Sequence, residues 1–293
     1  MDTNSNQARR VVIGITAHVD AGKTTLAEAM LYRTGRLRKL GRVDHGSAAM
    51  DSHLLERERG ITIFSSQAEL PIGNLEVTLL DTPGHVDFSA EMERTLSVLD
   101  YAILVISGAD GVQAHTRTLW RLLELYRIPT FLFVTKMDFG RCGRGQMMEH
   151  LRHELGEGCV DFTPADRERR MEQLATCRED ALEAYLDGRE VPDALVRQLV
   201  GRRLVFPCWF GSGLKLEGID EFLEGLARYV EPPVYPETFS ARVFKISHDP
   251  QGKRLTHLKV TGGTLRVRDA VSYAGHQEKA CLLYTSPSPR DTE

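Results

Sequence analysis

VVIGITAHVDAGKTT, residues 11–25, joins a strand signal, a glycine-lysine loop and a helix start without a break. Val11, Val12, Ile13 and Ile15 form an apolar, β-branched run of the kind that makes a buried strand. Ala17-His18-Val19-Asp20-Ala21-Gly22-Lys23-Thr24 then has the spacing of a phosphate-binding loop, with Ala17 where the pattern usually opens on glycine. Leu26 to Tyr32 reads as helix. In that setting the backbone N–H groups of the loop and of the helix start would wrap a polyphosphate. Lys23 would reach its β- and γ-phosphates, and the Thr24 hydroxyl would ligate Mg²⁺. The candidate nucleotide contacts therefore run from Ala17 through Thr25. A GK[ST] match alone is weak, so the rest of the chain has to supply the partners.

Downstream, residues 33–59 are polar, charged and too long for a simple connection, which suits a functional segment. They end at Arg59-Gly60-Ile61-Thr62-Ile63, where Thr62 would offer its hydroxyl to Mg²⁺ and its N–H to a γ-phosphate. Taken alone, Thr62 is better read as an ordinary β-branched residue at the start of a strand. Strands are expected at 61–70 and 75–80, joined by a turn at 71–74. The second runs into Asp81-Thr82-Pro83-Gly84-His85. Asp81 at a strand end can hold Mg²⁺ through water, and the bare Gly84 N–H can approach the γ-phosphate. His85 follows, within reach of an attacking water. Lys23, Thr62 and His85 are the candidate catalytic residues; Thr24, Thr62 and Asp81 are the candidate metal ligands.

Further strands are expected at 101–106 (YAILVI) and 130–134 (TFLFV), both continuous apolar runs suited to burial on two faces. Helices are expected at 88–99 and 113–126. The second strand delivers Thr135-Lys136-Met137-Asp138. Asp138 can accept from guanine N1–H and N2–H₂ while the Lys136 stem covers the base. Adenine lacks that donor pair, a mismatch able to discriminate by roughly 10⁴-fold. Residues 139–203 are charged and interrupt the alternation. They are read as an insertion of surface helices, at 146–155 and 166–186. Residues 206–210 resume the sheet and lead into Gly211-Ser212-Gly213-Leu214-Lys215, where Ser212, Gly213 and their neighbours would aim backbone N–H groups at guanine O6. A closing helix is expected at 219–229.

These readings give a frayed tail at 1–10, a nucleotide-binding α/β domain at 11–231 with a mostly parallel sheet flanked by helices, and a proline-rich linker at 232–238. A partial β-barrel is expected at 239–280, from short β segments at 241–246, 254–260, 264–267 and 270–273. Residues 281–293 (CLLYTSPSPRDTE) resemble translated vector sequence and are set aside. The chain has 293 residues, 42% apolar and 27% charged, and a net charge of −4. That balance gives no overall basic signature for nucleic acid, and DNA is not an expected partner. Five scattered cysteines without CxxC spacing suggest a reduced compartment and no zinc site. With no apolar run of membrane-spanning length, a cytoplasmic monomer is expected.

AHVDAGKTT, RGIT, DTPGH and KMD in this order resemble the translational GTPases. The stretches LLERERGITI, SVLDYAILVISGADGVQAHTRTLW and VFKISHDPQGKRLTHLKVTGGTLRVRD are most similar to the elongation factor G branch, and within it to the tetracycline-resistance ribosomal protection proteins. The resemblance covers residues 11 to about 275. It implies a GTP-driven factor that binds the ribosome, releases tetracycline and leaves after hydrolysis to GDP. It also implies that His85 orients the attacking water once ribosomal RNA moves it, and that Val19 and Ile61 form an apolar gate until then. Activation by a partner can be worth about 10⁵-fold, so the isolated protein should turn over slowly. One departure is Thr135, where the family usually has Asn tying the base pocket to the phosphate loop. Competing readings are an elongation factor G-type translocase, a non-hydrolysing ribosome-binding module and a P-loop kinase; Asp138 disfavours the last.

Overall fold

The computed structural model describes residues 9–38, 66–82, 89–139, 142–163, 167–188, 190–248, 251–252, 254–273 and 275–280. They divide into two units, at the step from Pro232 to Pro233.

The first unit is built on β1 (Arg9–Ala17), which follows the β-branched run at its core. A helix, α1 (Lys23–Arg33), follows it. A hairpin of β2 (Ser66–Ile72) and β3 (Leu75–Asp81) comes next, then α2 (Ser89–Leu96), β4 (Tyr101–Ser107), α3 (Ala114–Leu125) and β5 (Thr130–Thr135). The chain continues through α4 (Arg144–Leu155), β6 (Cys159–Asp161), α5 (Arg167–Cys177), α6 (Glu179–Leu186), α7 (Asp193–Gly201), β7 (Phe206–Phe210) and α8 (Ile219–Tyr229). The seven strands run in the order β2-β3-β1-β4-β5-β7-β6. Every pairing is parallel except the β2–β3 hairpin. Pro71 is tolerated because β2 is an edge strand.

The alternation of side chains sorts the core into two layers. Ile13, Ile15, Ile103, Val105, Phe131 and Phe133 face α1 and α8. Ala102, Leu104, Ile106, Leu132 and Val134 face α2, α3 and α4. Both central strands, β4 and β5, are buried along their whole length, as their unbroken apolar runs require. Tyr101 closes the unit, its hydroxyl exchanging 3.1 Å hydrogen bonds with the backbone of Glu231.

Residues 139–203 are more than an insertion of surface helices. β6 joins the sheet beside β7, and Val160, Phe162, Leu174, Ala181, Val196 and Leu199 belong to the core. The helix expected over 166–186 is two helices, broken at Arg178, and α7 is additional.

In the second unit β8 (Ser240–His248) pairs antiparallel with β9 (Arg254–Gly262), and β10 (Ala270–Tyr273) with β11 (His276–Lys279). The strand expected at 264–267 does not form. Arg268 lies at φ +75° and the Arg266 N–H donates to the Asp269 carboxylate at 2.7 Å, which makes a turn there instead.

The sheet places the candidate site. From β1 the chain builds β2 and β3 on one side and then crosses to β4 on the other. In an open parallel sheet, the crevice beyond the carboxyl ends of the strands at such a reversal is where ligands bind. The loops leaving β1, β3, β5 and β7 all open on that edge.

Candidate nucleotide-binding site

β1 ends at the fully buried Ala17, and the chain turns at once: the Ala21 N–H donates to the His18 carbonyl at 3.1 Å. Asp20 sits at φ +62° and Gly22 at φ +91°. Glycine takes that left-handed backbone without steric penalty, and Asp is among the few other residues that tolerate it. Backbone of this kind directs successive N–H groups into a common hollow, a receptor for anions. α1 starts at Lys23 with no side-chain cap and no acid in its first turn. Its leading N–H groups and positive dipole end therefore favour an external anion.

Lys23 is only 8% exposed, and its ammonium donates to the Asp81 carboxylate and the Thr82 carbonyl. Asp81 and Thr82 are fully buried. Thr82 sends its N–H (3.1 Å) and its hydroxyl (2.9 Å) to the Ile15 carbonyl, so the end of β3 is stitched to β1 just ahead of the loop. Lys23 and Asp81 thus face each other across a junction that backbone geometry fixes.

The loop after β5 is joined to the same turn at two points. The Thr135 hydroxyl donates to the Ala21 carbonyl at 2.7 Å, and the Lys136 ammonium donates to the Asp20 carbonyl at 2.6 Å. Lys136 itself is at φ +54°. The Asp138 carboxylate lies beyond, receiving the Lys215 ammonium at 2.6 Å. That hydrogen bond holds the Asp138 carboxyl below the usual range and raises Lys215. In the loop after β7 the Ser212 N–H donates to the Glu217 carbonyl at 2.9 Å, so Ser212 is not the free donor that its position suggests. Gly213 lies close over the first turn of α1: a Cβ there would come within 3.0 Å of the Thr25 carbonyl oxygen.

A family model described as the elongation factor Tu GTP binding domain matches residues 8–232. The chain belongs to that family. Similar proteins include the oxytetracycline resistance protein of Streptomyces rimosus, 39% identical over 89% of this chain and 43% of that protein. The tetracycline resistance protein TetM from transposon Tn916 of Enterococcus faecalis is 35% identical over 94% of this chain and 46% of its own length. This chain therefore spans under half the length of the curated relatives it matches. A crystal structure from Thermus thermophilus superposes with a TM-score of 0.82 at 27% identity, covering 93% of this chain and 48% of that one.

The structure thus brings the candidate residues of four separated segments to one edge of the sheet: Ala17–Thr25, Asp81, Thr135 with Lys136 and Asp138, and Ser212 with Gly213. Val19 and His18 are half-buried in the turn. The His18 Nδ1 is buried with no hydrogen-bond partner among the described residues, and its ring lies 5.9 Å from that of His115. Ile61, Thr62, Gly84 and His85 lie outside the described residues. Two residues of the site are not singled out by their sequence. Lys215 carries a signal, a cation three residues past Ser212 that complements Asp138. Thr82 carries none, since its role depends on the β1–β3 register. No helix among the described residues is long and apolar enough to cross a membrane.

Proposed function

We propose that the chain binds and hydrolyses GTP to drive a ribosomal step, and that the step is tetracycline resistance by ribosomal protection. The observation that carries the GTPase reading is the double link from Thr135 to Ala21 and from Lys136 to Asp20. It ties the segment that carries Asp138 to the candidate phosphate loop, which supports reading Asp138 as the base-selecting carboxylate. The names of the relatives support the tetracycline-resistance part, and the resemblance to the translational GTPases supports the ribosomal part. On this reading the chain acts as a cytoplasmic monomer.

Asp138 accepts guanine N1–H and N2–H₂, and the Lys136 stem lies along the base. Lys215 keeps Asp138 ionised and oriented. The loop N–H groups from Val19 to Thr25 receive the phosphate oxygens, and Lys23 turns its donors from Thr82 towards the β- and γ-phosphates. The Thr24 hydroxyl and the buried Asp81 carboxylate are hard oxygen donors of the kind that would hold Mg²⁺. An ion held there would supply positive charge to offset that of the bound phosphates. Asp81 would act through water and Thr62 directly. Thr62 and Gly84 would report the γ-phosphate, and His85 would orient the attacking water once a ribosomal partner opens the gate of Val19 and Ile61.

The base-reading assignment is tested with Asp138→Asn, which should move preference from GTP to xanthosine triphosphate. Unchanged GTP affinity refutes it. In the full-length protein ribosomes should accelerate phosphate release, and His85→Ala should abolish the acceleration while sparing GTP binding. Stimulation that survives the substitution removes His85 from the reaction.

A further inference from the structure

We propose that the turn after α1 is a docking surface for the sugar-phosphate backbone of RNA, distinct from the nucleotide loop at the other end of the same helix. The choice of RNA as the polyanion rests on the ribosomal reading above; the affinity for phosphates is argued from the turn itself. Residues 33–42, RTGRLRKLGR, hold five cations and no acid, in a chain whose net charge is −4. Arg33, Arg36 and Arg38 are among the described residues and carry the argument. At 1.5 Å per residue, Arg33 lies about 15 Å along α1 from Lys23.

The backbone of this turn is fixed. The Thr34 N–H and hydroxyl both donate to the Met30 carbonyl, at 3.0 and 2.9 Å, and the Arg36 and Leu37 N–H groups double back to the Leu31 carbonyl at 2.9 and 3.2 Å. Gly35 supplies the left-handed step at φ +73° that ends many helices. Leu37 then packs against the core. Arg36 and Arg38 thus flank an anchored residue, and backbone held in this way loses little freedom when a partner arrives.

The positive charge of the turn is little used by the fold. Arg33 meets Asp220 of α8 at 3.3 Å, but both side chains are exposed, and such a pair is weak. Arg36 is half-buried, and its Nε is buried with no hydrogen-bond partner among the described residues. Arg38 is exposed. The negative end of the α1 dipole accounts for a cation at Arg33, in the last turn. It does not account for two more beyond the helix end, because the effect fades within that turn.

The residue type selects the partner. Four of the five cations are arginine, whose planar fork meets two oxygens of one phosphate at once and is more weakly hydrated than an ammonium. Arg36 and Arg38 are two residues apart, at most about 7 Å along the chain, so two forks are set against a run of phosphates rather than against one small anion. The test measures anisotropy of a short fluorescein-labelled RNA hairpin with the full chain, saturated with GDP, across a salt series.

Arg36→Gln with Arg38→Gln should bind the hairpin about tenfold more weakly, and the slope of log K against log salt should fall by about 1.4–1.8, the value of two phosphate contacts. GDP affinity equal to wild type shows that the variant is folded and that the nucleotide site is separate. Should the double variant lose GDP binding, Arg38→Gln at the exposed position is read alone, with an expected fall in slope of about 0.7–0.9. The proposal is overturned if the hairpin fails to bind the wild-type chain, or binds wild type and variant alike. It is also overturned if a labelled poly-glutamate peptide of the same charge binds wild type as tightly, which assigns the surface to an acidic protein segment instead. Ribosome-stimulated hydrolysis is a separate readout: its absence in the full-length protein removes the ribosomal reading and leaves the hairpin result standing.

Discussion

Thr135→Val tests the link between the two halves of the nucleotide site. The substitution keeps the branched shape and exchanges a hydroxyl for a methyl. Thr135 is 5% exposed and gives its proton to the Ala21 carbonyl at 2.7 Å. Its other neighbour, the Ile106 carbonyl, is at 3.3 Å, and one hydroxyl proton serves one of them well. Losing a buried hydrogen bond and leaving polar atoms against a methyl costs about 1–3 kcal/mol. For a unit of some 150–250 residues each kcal/mol moves Tm by roughly 2–4 °C, so the expected fall is about 2–12 °C. To the extent that the bond pre-shapes the loop, GDP affinity falls as well, by up to tenfold for each 1.4 kcal/mol expressed in binding. The assay pairs thermal unfolding with equilibrium binding of fluorescent GDP, and Thr135→Ser, which restores the hydroxyl, is measured beside it. Recovery in the Ser variant is expected. If Val matches wild type in both readings, or if Ser is as impaired as Val, the hydroxyl is not what joins the base loop to the phosphate loop.

Two further outcomes are expected. Because Lys215 holds the Asp138 carboxyl below its usual range, Asp138 stays an acceptor on acidification; in Lys215→Met its protonation, and the loss of GDP binding with it, should move to higher pH in a binding titration. Gly211→Ala would drive a Cβ to 2.2 Å from the Glu217 carbonyl oxygen and 2.8 Å from Phe133, so it should destabilise by about 1–3 kcal/mol or more, measured by denaturant midpoint.

The strand–turn–helix form of residues 9–33 is legible in the sequence because its determinants are local. A β-branched run, a glycine able to reach φ +91° and a lysine at the helix start lie within fifteen consecutive residues. β4 and β5 are legible because burial on both faces leaves an unbroken apolar run. β6 is not: Cys159-Val160-Asp161 is too short to show any period, and its place comes from pairing with β7. α7 escapes notice although Val196, Leu199 and Val200 have helical spacing, because the charge around them suggests a solvated face. The alternation at 264–267 misleads because a local turn, closed by Asp269, outweighs it. Lys215 and Thr82 act through partners 77 and 67 residues away, a separation that spacing does not encode.

Gly213 seated over Thr25 has a consequence for how this unit comes apart. The candidate contacts run from residue 17 to residue 215, so a guanine nucleotide held by them would bridge the first strand and the loop after β7 like a bolt through both ends of a hinge. Ligand at a hundred times its dissociation constant adds about 2.7 kcal/mol against unfolding. That increment would be felt by amide protons in β1 and in β7 alike, and not only by those beside the phosphates.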